Sequence, residues 1–321
     1  MELSPPLARR YDRYRGPLVA TAISGGLVRA RARSSPERVA TEADEFLDLV
    51  WTAVEGPRAA MMAQLKRQVQ LGSLAAASPQ EVANILGIWR RTFEAFATEL
   101  GGEQHQVTDA LEIVERAVIA VAKSWEDQRV DVIVVGASAG GIPALRELLD
   151  WLDPRLPATL LIALHLSHSA PSVLPAVLGL HSRITIAYAV DGAAPYLGYA
   201  YVAPSGQHLM LEDMQLRILK SPPVHFVRPS ANVLFESAAK SCAHRLASVV
   251  LSGAGSDAAG GTQRVHDAGG ITFCQDPESA EFRGMPDSAV ATNAVDFVAR
   301  LPRMAELLER LIFKGRSSIR A

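Results

Sequence analysis

Cysteine is scarce in this sequence: only Cys242 and Cys274 occur among 321 residues. Two cysteines cannot build a disulfide framework, and neither lies in a CxxC pair or in a Cys/His cluster with zinc spacing. A disulfide-stabilised scaffold and a zinc finger are therefore excluded. Each cysteine borders or lies within an apolar run, so we expect buried thiols in a reducing compartment.

Long apolar runs and an excess of charge are also missing. The longest apolar stretch near a strand, residues 158–166, is far shorter than the about 20 residues that span a bilayer. The N-terminus lacks the order of a secretory signal peptide. The 32 Lys and Arg nearly balance 34 Asp and Glu, whereas a nucleic-acid-binding protein is expected to carry a positive excess. We therefore expect a cytoplasmic protein with no nucleic-acid partner and no membrane insertion.

Helical periodicity dominates residues 1–126. Ser78 and Glu81 form a capping box with Pro79 at the first helical position, and Pro36 opens another helical segment. A further helix is predicted over residues 108–125, and in all of these segments apolar residues recur every three or four positions. Four or five helices with short polar turns predict a bundle, for which we expect a role in sensing, dimerisation or docking.

The pattern changes after the charged tetrapeptide at residues 126–129. Short continuous apolar runs, separated by helical stretches, are typical of strands that are buried on both faces of a parallel sheet. These runs lie at residues 132–135, 159–164, 247–251 and 271–274.

The sequence pattern differs between the second and third of these runs. Residues 200–203, 208–211 and 216–219 are short apolar segments separated by turn residues, which predicts local antiparallel hairpins. The predicted fold class is therefore α/β. An all-α helical bundle over residues 1–126 precedes a doubly wound, mostly parallel α/β domain over residues 130–321 that includes a local antiparallel hairpin.

The loop after the first run, residues 136–141, has the spacing Gly-x-Ser-x-Gly around Ser138. Small residues allow the sharp strand-to-helix turn that exposes a nucleophilic hydroxyl. The same loop also fits a phosphate cradle at a helix N-terminus, or a plain glycine-rich turn. The local sequence favours none of the three interpretations.

Two further side chains lie where strands are predicted to end. His165 follows the second run, and in an open α/β sheet the carboxyl ends of the strands line the crevice where chemistry takes place. A neutral imidazole there could take the Ser138 proton and return it. Asp257 follows the third run and could orient the histidine, although an aspartate in this position also suits a helix N-cap. The chain order Ser, His, Asp differs from that of ordinary α/β-hydrolases.

A series of short motifs runs through the second half of the chain. They lie at residues 136–141, 165, 191–192, 201–204, 208, 228–230, 233–235, 251–257 and 284–286. In this order they resemble the CheB-type protein-glutamate methylesterases of bacterial chemotaxis, from about residue 130 to the C-terminus. The number of motifs makes the resemblance far more specific than a lone Gly-x-Ser-x-Gly.

The resemblance implies a Ser-His-Asp triad in which Ser138 is the nucleophile, His165 the base and Asp257 the orienting acid. It implies hydrolysis of glutamate methyl esters on a methylated chemoreceptor or a receptor-like helical protein, often with glutamine deamidation. No metal or organic cofactor is then needed. The implied oxyanion and substrate-cleft residues are Ala139, Gly140, Ala254 and Met285.

Several positions depart from the family pattern. Ala139 stands where the family usually has threonine, and Ala254 and Ala258 stand where it usually has glycine. Leu164 replaces a common glutamine, and Asn232 replaces a usual aspartate. None of these departures removes a triad member, but together they bear on rate and substrate specificity.

The first half departs further, because the family normally carries an N-terminal receiver domain. Such a domain needs paired acids, a phosphoacceptor aspartate and a late lysine on an alternating α/β framework, and residues 1–126 offer no such set. This half is loosely similar to the helical sensor bundles of RsbR-type stress regulators. Two alternatives to an active methylesterase stay open: a catalytically silent signalling module, and a small-molecule carboxylesterase.

Overall fold

The structure is a computed structural model that divides into two compact units, Met1–Asp127 and Gln128–Ala321. It describes residues 18–19, 22, 36–55, 61, 63–65, 79–95, 104–126, 129–165 and 173–319. The roles predicted for the two parts of the chain stay predictions.

The described part of the N-terminal unit contains three long helices: α1 (Pro36–Glu55), α2 (Pro79–Ala95) and α3 (Gln104–Glu126). Their apolar stripes share one cluster of buried side chains, which removes a continuous face of each helix from water. Trp89 lies at its centre, stacked on Phe46 at a ring-centroid distance of 5.1 Å. Within the described ranges, no helix is long and apolar enough to cross a membrane.

The second unit is built around a seven-stranded sheet in which every pair of neighbours is parallel. The strand order is β3-β4-β2-β1-β7-β8-β9. The strands are β1 (Val132–Ala137), β2 (Thr159–Leu164), β3 (Thr185–Tyr188), β4 (Tyr199–Val202), β7 (Leu246–Val250), β8 (Ile271–Gln275) and β9 (Phe297–Ala299).

Helices cover both faces of this sheet, so the predicted doubly wound α/β fold is confirmed. The helices are α4 (Gly141–Trp151), α5 (Leu174–Leu178), α6 (Ala231–Cys242), α7 (Ala259–Asp267), α8 (Gly284–Val290) and α9 (Leu301–Lys314). Alternate residues of β1 point to opposite faces. Ile133 and Val135 pack with α4 and α9, whereas Val132 and Val134 pack with α6 and α7.

The hairpin prediction is right for one pair of segments and wrong for another. Strands β5 (His208–Glu212) and β6 (Gln215–Leu219) form the expected antiparallel hairpin. Residues 200–203 do not, because β4 pairs in parallel with β2 and β3 in the main sheet. Three of the four β4 residues are buried, and a place between two strands satisfies their backbone groups on both sides.

Candidate active site

Three strand ends meet where the order of the sheet reverses. Strand β1 lies between β2 and β7, so the chain winds away from it in both directions. Ser138 follows the last residue of β1, and His165 follows the last residue of β2, directly after the paired residues Ala137 and Leu164. The loop after β7 begins beside them, since the Ser138 N–H donates to Ser252 O at 3.0 Å. Such a switch point is where open α/β sheets bind ligands.

The turn after β1 depends on Gly140. Its φ is +68°, in the left-handed region, and it is the N-cap residue of α4. A Cβ there would lie 2.6 Å from Ser252 Oγ and 2.9 Å from Glu281 Oε2, so only glycine fits without displacement. The Gly141 N–H donates to Ser138 O at 2.9 Å, which closes the strand-to-helix turn and leaves Ser138 half-buried at its apex.

Met285 contributes shape to the site. It is fully buried, and its N–H donates to Gly253 O at 2.8 Å. A Cβ on Gly253 would lie 2.2 Å from Met285 Sδ and 2.9 Å from Ser138 Cβ. Gly253 is therefore packed between the predicted nucleophile and Met285. Through this contact Met285 supports the loop that carries Ser138.

His165 and Asp257 form a direct contact. His165 Nε2 lies 2.8 Å from Asp257 Oδ2. A carboxylate can only accept, so the neutral imidazole carries its proton on Nε2. Nδ1 is then the ring nitrogen that can accept a proton from a neighbouring hydroxyl.

The Asp257 carboxylate lies at the N-terminus of α6. Its side chain is 4% exposed, and it accepts hydrogen bonds from Ser230 Oγ at 2.9 Å, Ala231 N at 2.5 Å and Asn232 N at 3.1 Å. Unpaired N–H groups and the dipole of a helix N-terminus stabilise an anion. Asp257 is thus held by a helix distant in sequence, and the N-cap residue of the following helix, α7, is Ala258.

These contacts set the direction of the Asp257 pKa. Burial alone raises the pKa of this carboxyl, but the hydrogen bonds from His165, Ala231 and Asn232 outweigh burial and leave the pKa below its usual range. Asp257 is therefore ionised near neutral pH, as a residue that orients a histidine must be.

Ser138 and His165 each follow a residue of the same strand pair, Ala137 and Leu164, but they are not joined by a hydrogen bond. Among the residues that the structure describes, none accepts from or donates to Ser138 Oγ. Catalytic hydrogen bonds are often long in free enzymes and tighten when substrate binds. All three predicted triad members therefore lie beyond the carboxyl ends of the strands. One of the two contacts expected among them, between His165 and Asp257, is present.

Two backbone N–H groups near Ser138 are available to an oxyanion. Those of Ala139 and Ala254 donate to no group within the described part of the chain. The Gly253 N–H, in contrast, donates to Phe282 O at 2.9 Å. Ala254 is exposed and Ala139 half-buried, so neither residue is closed off from solvent.

Ser230 and His208 lie among the family motifs, but the sequence predicted no part for either in holding the acid. Ser230 donates to Asp257, and its own N–H donates to Nδ1 of the buried His208 at 3.1 Å. Nδ1 must therefore accept, so Nε2 carries the proton and donates to Pro222 O at 3.1 Å. A serine that directly precedes a helix is a recognisable N-cap signal. Nothing local to the sequence connects that serine to Asp257 or to His208.

Two departures from the family pattern have structural consequences. Ala258 has a φ of +78°, in the left-handed region that glycine adopts most easily, which explains the usual glycine there. Asn232 Oδ1 accepts from Gly261 N at 2.6 Å and so connects the start of α6 to α7. An aspartate could accept the same hydrogen bond, so Asn232 keeps this contact without adding a charge beside Asp257.

A cavity of about 370 Å³ lies beside the serine loop. Gly140 and Ser252 line it together with charged side chains (Glu147, Glu281 and Arg300) and apolar ones (Pro143, Ala144, Leu301 and Pro302). An enclosed apolar pocket, which a small-molecule carboxylesterase would need, is not what this cavity offers.

Strand order and helix placement define a doubly wound α/β protein, and its switch point carries a serine, a histidine and an aspartate. Residues 133–308 match the CheB methylesterase family, and the chain belongs to that family.

Similar proteins support this assignment. The chain is 37% identical over 183 residues to protein-glutamate methylesterase/protein-glutamine glutaminase 2 of Anaeromyxobacter dehalogenans, an alignment that covers 57% of this chain and 54% of that protein. It is 36% identical to a putative enzyme of the same name from Leptospira interrogans, across 56% of this chain and 94% of that protein. The chain thus spans about half the length of some relatives that it matches and nearly all of others.

A solved structure shows the same fold. The CheB methylesterase catalytic domain of Thermotoga maritima superposes with a TM-score of 0.55 and is 27% identical. The match covers 57% of this chain and 99% of that domain.

Proposed function

We propose that this protein is a serine hydrolase that removes methyl esters from glutamate side chains of receptor-like signalling proteins. The observation that carries the proposal is the His165–Asp257 contact at 2.8 Å, beside a serine at the apex of a strand-to-helix turn. The names of the relatives, protein-glutamate methylesterase/protein-glutamine glutaminase, supply the ester and amide substrates.

The residues support a two-step acyl transfer. Ser138 Oγ attacks the ester carbonyl as its proton passes to His165 Nδ1, and Asp257 stabilises the imidazolium that forms. The N–H groups of Ala139 and Ala254 stabilise the oxyanion. Collapse of the tetrahedral intermediate releases methanol, which takes the proton from His165. Water, activated by the same imidazole, then hydrolyses the acyl-enzyme and restores Ser138, and the same steps applied to glutamine would release ammonia.

Gly140 and Met285 shape this site rather than take part in the chemistry. Gly140 allows the turn that exposes Ser138, and Met285 packs behind Gly253. We infer a cytoplasmic setting, because the proposed substrate is the methylated chemoreceptor or a receptor-like helical protein. The helical N-terminal part would then regulate the esterase by sensing, by receptor docking or by homodimerisation.

The experiment is methanol release from a methylated chemoreceptor by the full chain. Ser138→Ala should reduce the rate by about 1,000-fold or more, because removing the nucleophile leaves only binding and oxyanion stabilisation. Ser256→Ala is a matched control, because Ser256 is exposed in the loop that ends at Asp257 and should leave the rate unchanged. Release that survives Ser138→Ala at the wild-type rate would contradict the mechanism.

A silent signalling module is the second candidate, favoured by the missing hydrogen bond between Ser138 and His165. That candidate predicts no methanol release by the wild-type protein under conditions where a methylesterase of known activity releases it. The same assay therefore distinguishes the two candidates.

A further inference from the structure

Phe226 is a phenylalanine whose side chain lies entirely in water. It is 100% exposed, at the tip of a two-residue turn between Val224 and Val227. The fold gains nothing from an apolar ring that stays hydrated. The turn also places Phe226 at φ +67° and His225 at φ +49°, a region that bulky side chains avoid. Such strain is found at ligand clamps more often than in ordinary loops.

The turn that carries Phe226 is firmly held. The Val224 N–H donates to Val227 O at 3.1 Å, and the Val227 N–H donates back at 3.0 Å. Below the turn, Arg228 Nη1 donates to Ser221 O at 2.8 Å, and the buried His208 joins Pro222 to Ser230. The backbone that carries Phe226 is therefore ordered before a partner binds, which reduces the entropy that the loop loses on binding.

The chain length also limits how far Phe226 can lie from Ser230, which contacts Asp257. Ser230, at the base of the loop, donates to Asp257. Four residues of extended chain reach at most about 14 Å, so the Phe226 Cα lies within about 14 Å of the Ser230 Cα. An α-helix with its side chains is about 10 Å wide, so a helical substrate can contact enzyme side chains beyond the reacting residue.

A second exposed phenylalanine lies on the serine side of the site. Phe282 is 43% exposed, and its backbone is fixed by Gly253 N–H, which donates to its carbonyl, and by its own N–H, which donates to Ser252 Oγ at 3.0 Å. Gly253 packs directly against Ser138. Both phenylalanines thus project from hydrogen-bonded backbone: Phe226 from the loop that leads to Ser230, and Phe282 from the segment bonded to Gly253.

We propose that Phe226 and Phe282 are the contacts by which the enzyme recognises a helical substrate, binding apolar residues on either side of the methylated glutamate. This inference rests on the proposed function, which supplies the helix as the occupant. Aromatic anchors that fit the apolar face of an amphipathic helix are a recurrent mode of helix recognition, and few residues usually dominate it. The two rings would therefore determine specificity for a helix without taking part in ester cleavage.

The test compares one scissile bond in two settings. The full chain is assayed with a helical peptide that carries a single glutamate γ-methyl ester, and with N-acetylglutamate γ-methyl ester as the small substrate. Phe226→Ala and Phe282→Ala should each raise KM for the peptide by about five- to tenfold, as loss of an interface anchor does, and leave kcat nearly unchanged. Neither variant should change hydrolysis of the small ester.

Two controls separate the ring from the fold. Phe226→Asn removes the ring but suits the left-handed turn, so it should raise KM as much as Phe226→Ala. Trp151→Ala removes a ring that is 59% exposed at the C-terminus of α4, near the amino ends of the strands and away from the site. This variant should leave KM for the peptide unchanged.

The outcomes separate this inference from the proposed function. If the Phe226 variants keep the wild-type KM for the peptide, the inference is overturned while the methylesterase activity stands. The same holds if they lose activity equally on both esters. A wild-type protein that cleaves neither ester, or only the small one, would refute the proposed function and the docking role with it.

Discussion

Gly253 and Ser138 are in such close contact that no side chain fits between them. A Cβ on Gly253 would lie 2.9 Å from Ser138 Cβ, closer than such atoms approach in proteins. On its other side the same Cβ would lie 2.2 Å from Met285 Sδ. The path of the loop after β7 therefore fixes the position of the proposed nucleophile.

Gly253→Ala should impair both activity and stability. The added methyl group must displace Ser138 or Met285, and overpacking of this kind costs about 1–3 kcal/mol of unfolding free energy. Urea unfolding measures the stability, and hydrolysis of N-acetylglutamate γ-methyl ester measures the activity, which we expect to fall by at least about tenfold because small displacements of a nucleophile are costly.

Gly260→Ala is the matched control for that change. Gly260 lies in the first turn of α7, and a Cβ there would meet nothing closer than 3.5 Å. Alanine stabilises helices relative to glycine by up to about 1 kcal/mol, so this variant should be at least as stable as the wild type and fully active. If Gly253→Ala behaves like Gly260→Ala, the close contact with Ser138 is not a constraint on the site.

Asp257→Asn should reduce stability in a pH-dependent way. The folded-state pKa of Asp257 is lowered because its hydrogen bonds outweigh burial. The carboxylate therefore contributes stability that is fully present above its unfolded pKa of about 3.9 and is lost as the pH falls through the lower folded value. Urea unfolding should show the wild type more stable than the variant at neutral pH, by about 1–3 kcal/mol. The difference in unfolding free energy between the wild type and the variant should become smaller below about pH 4. A difference that is the same at both pH values would contradict this assignment.

The two cysteine thiols should be unreactive in the folded protein. Both are buried and free, and burial, reinforced by the charges of Asp287 and Asp276, raises the pKa of Cys274 to about 12. Thiolate is the reactive form, so little of it exists near pH 8. An aromatic disulfide reagent should detect no thiol in the native chain and both thiols in guanidinium chloride. With Cys242→Ser, rapid reaction of the native protein would show that Cys274 is accessible.

The parallel sheet was predictable where burial on both faces left a continuous apolar run. Strands β1, β2, β7 and β8 all show this pattern. Strand β3, at the edge, is only partly buried, and β9 has three residues, so neither produces such a run. Residues 200–203 were misassigned because a short apolar segment does not specify its partner; pairing depends on tertiary contacts.

The candidate site was predictable only from the positions of its residues after the ends of strands. Ser138, His165 and Asp257 each follow a strand, and topology alone brings strand ends together. Ser230 and His208 could not be assigned in the same way. Ser230 contacts an acid 27 residues away, and His208 contacts Ser230 across 22 residues. Such contacts arise from the packing of α6 against the hairpin, and no local sequence pattern indicates them.

His208→Leu should destabilise the domain and slow catalysis. Both ring nitrogens of this buried histidine are used, so the change leaves Pro222 O and the Ser230 N–H without a partner, each at a cost of about 1–3 kcal/mol. Because Ser230 holds Asp257, we expect kcat for N-acetylglutamate γ-methyl ester to fall several-fold. Residues that orient a functional side chain commonly lower activity when they are lost. Urea unfolding and steady-state kinetics measure the two effects. His266→Leu is the control, because His266 is exposed on α7 and should change neither quantity. Equal stability and equal kcat in the two variants would show that the hydrogen bonds of His208 do not support the acid.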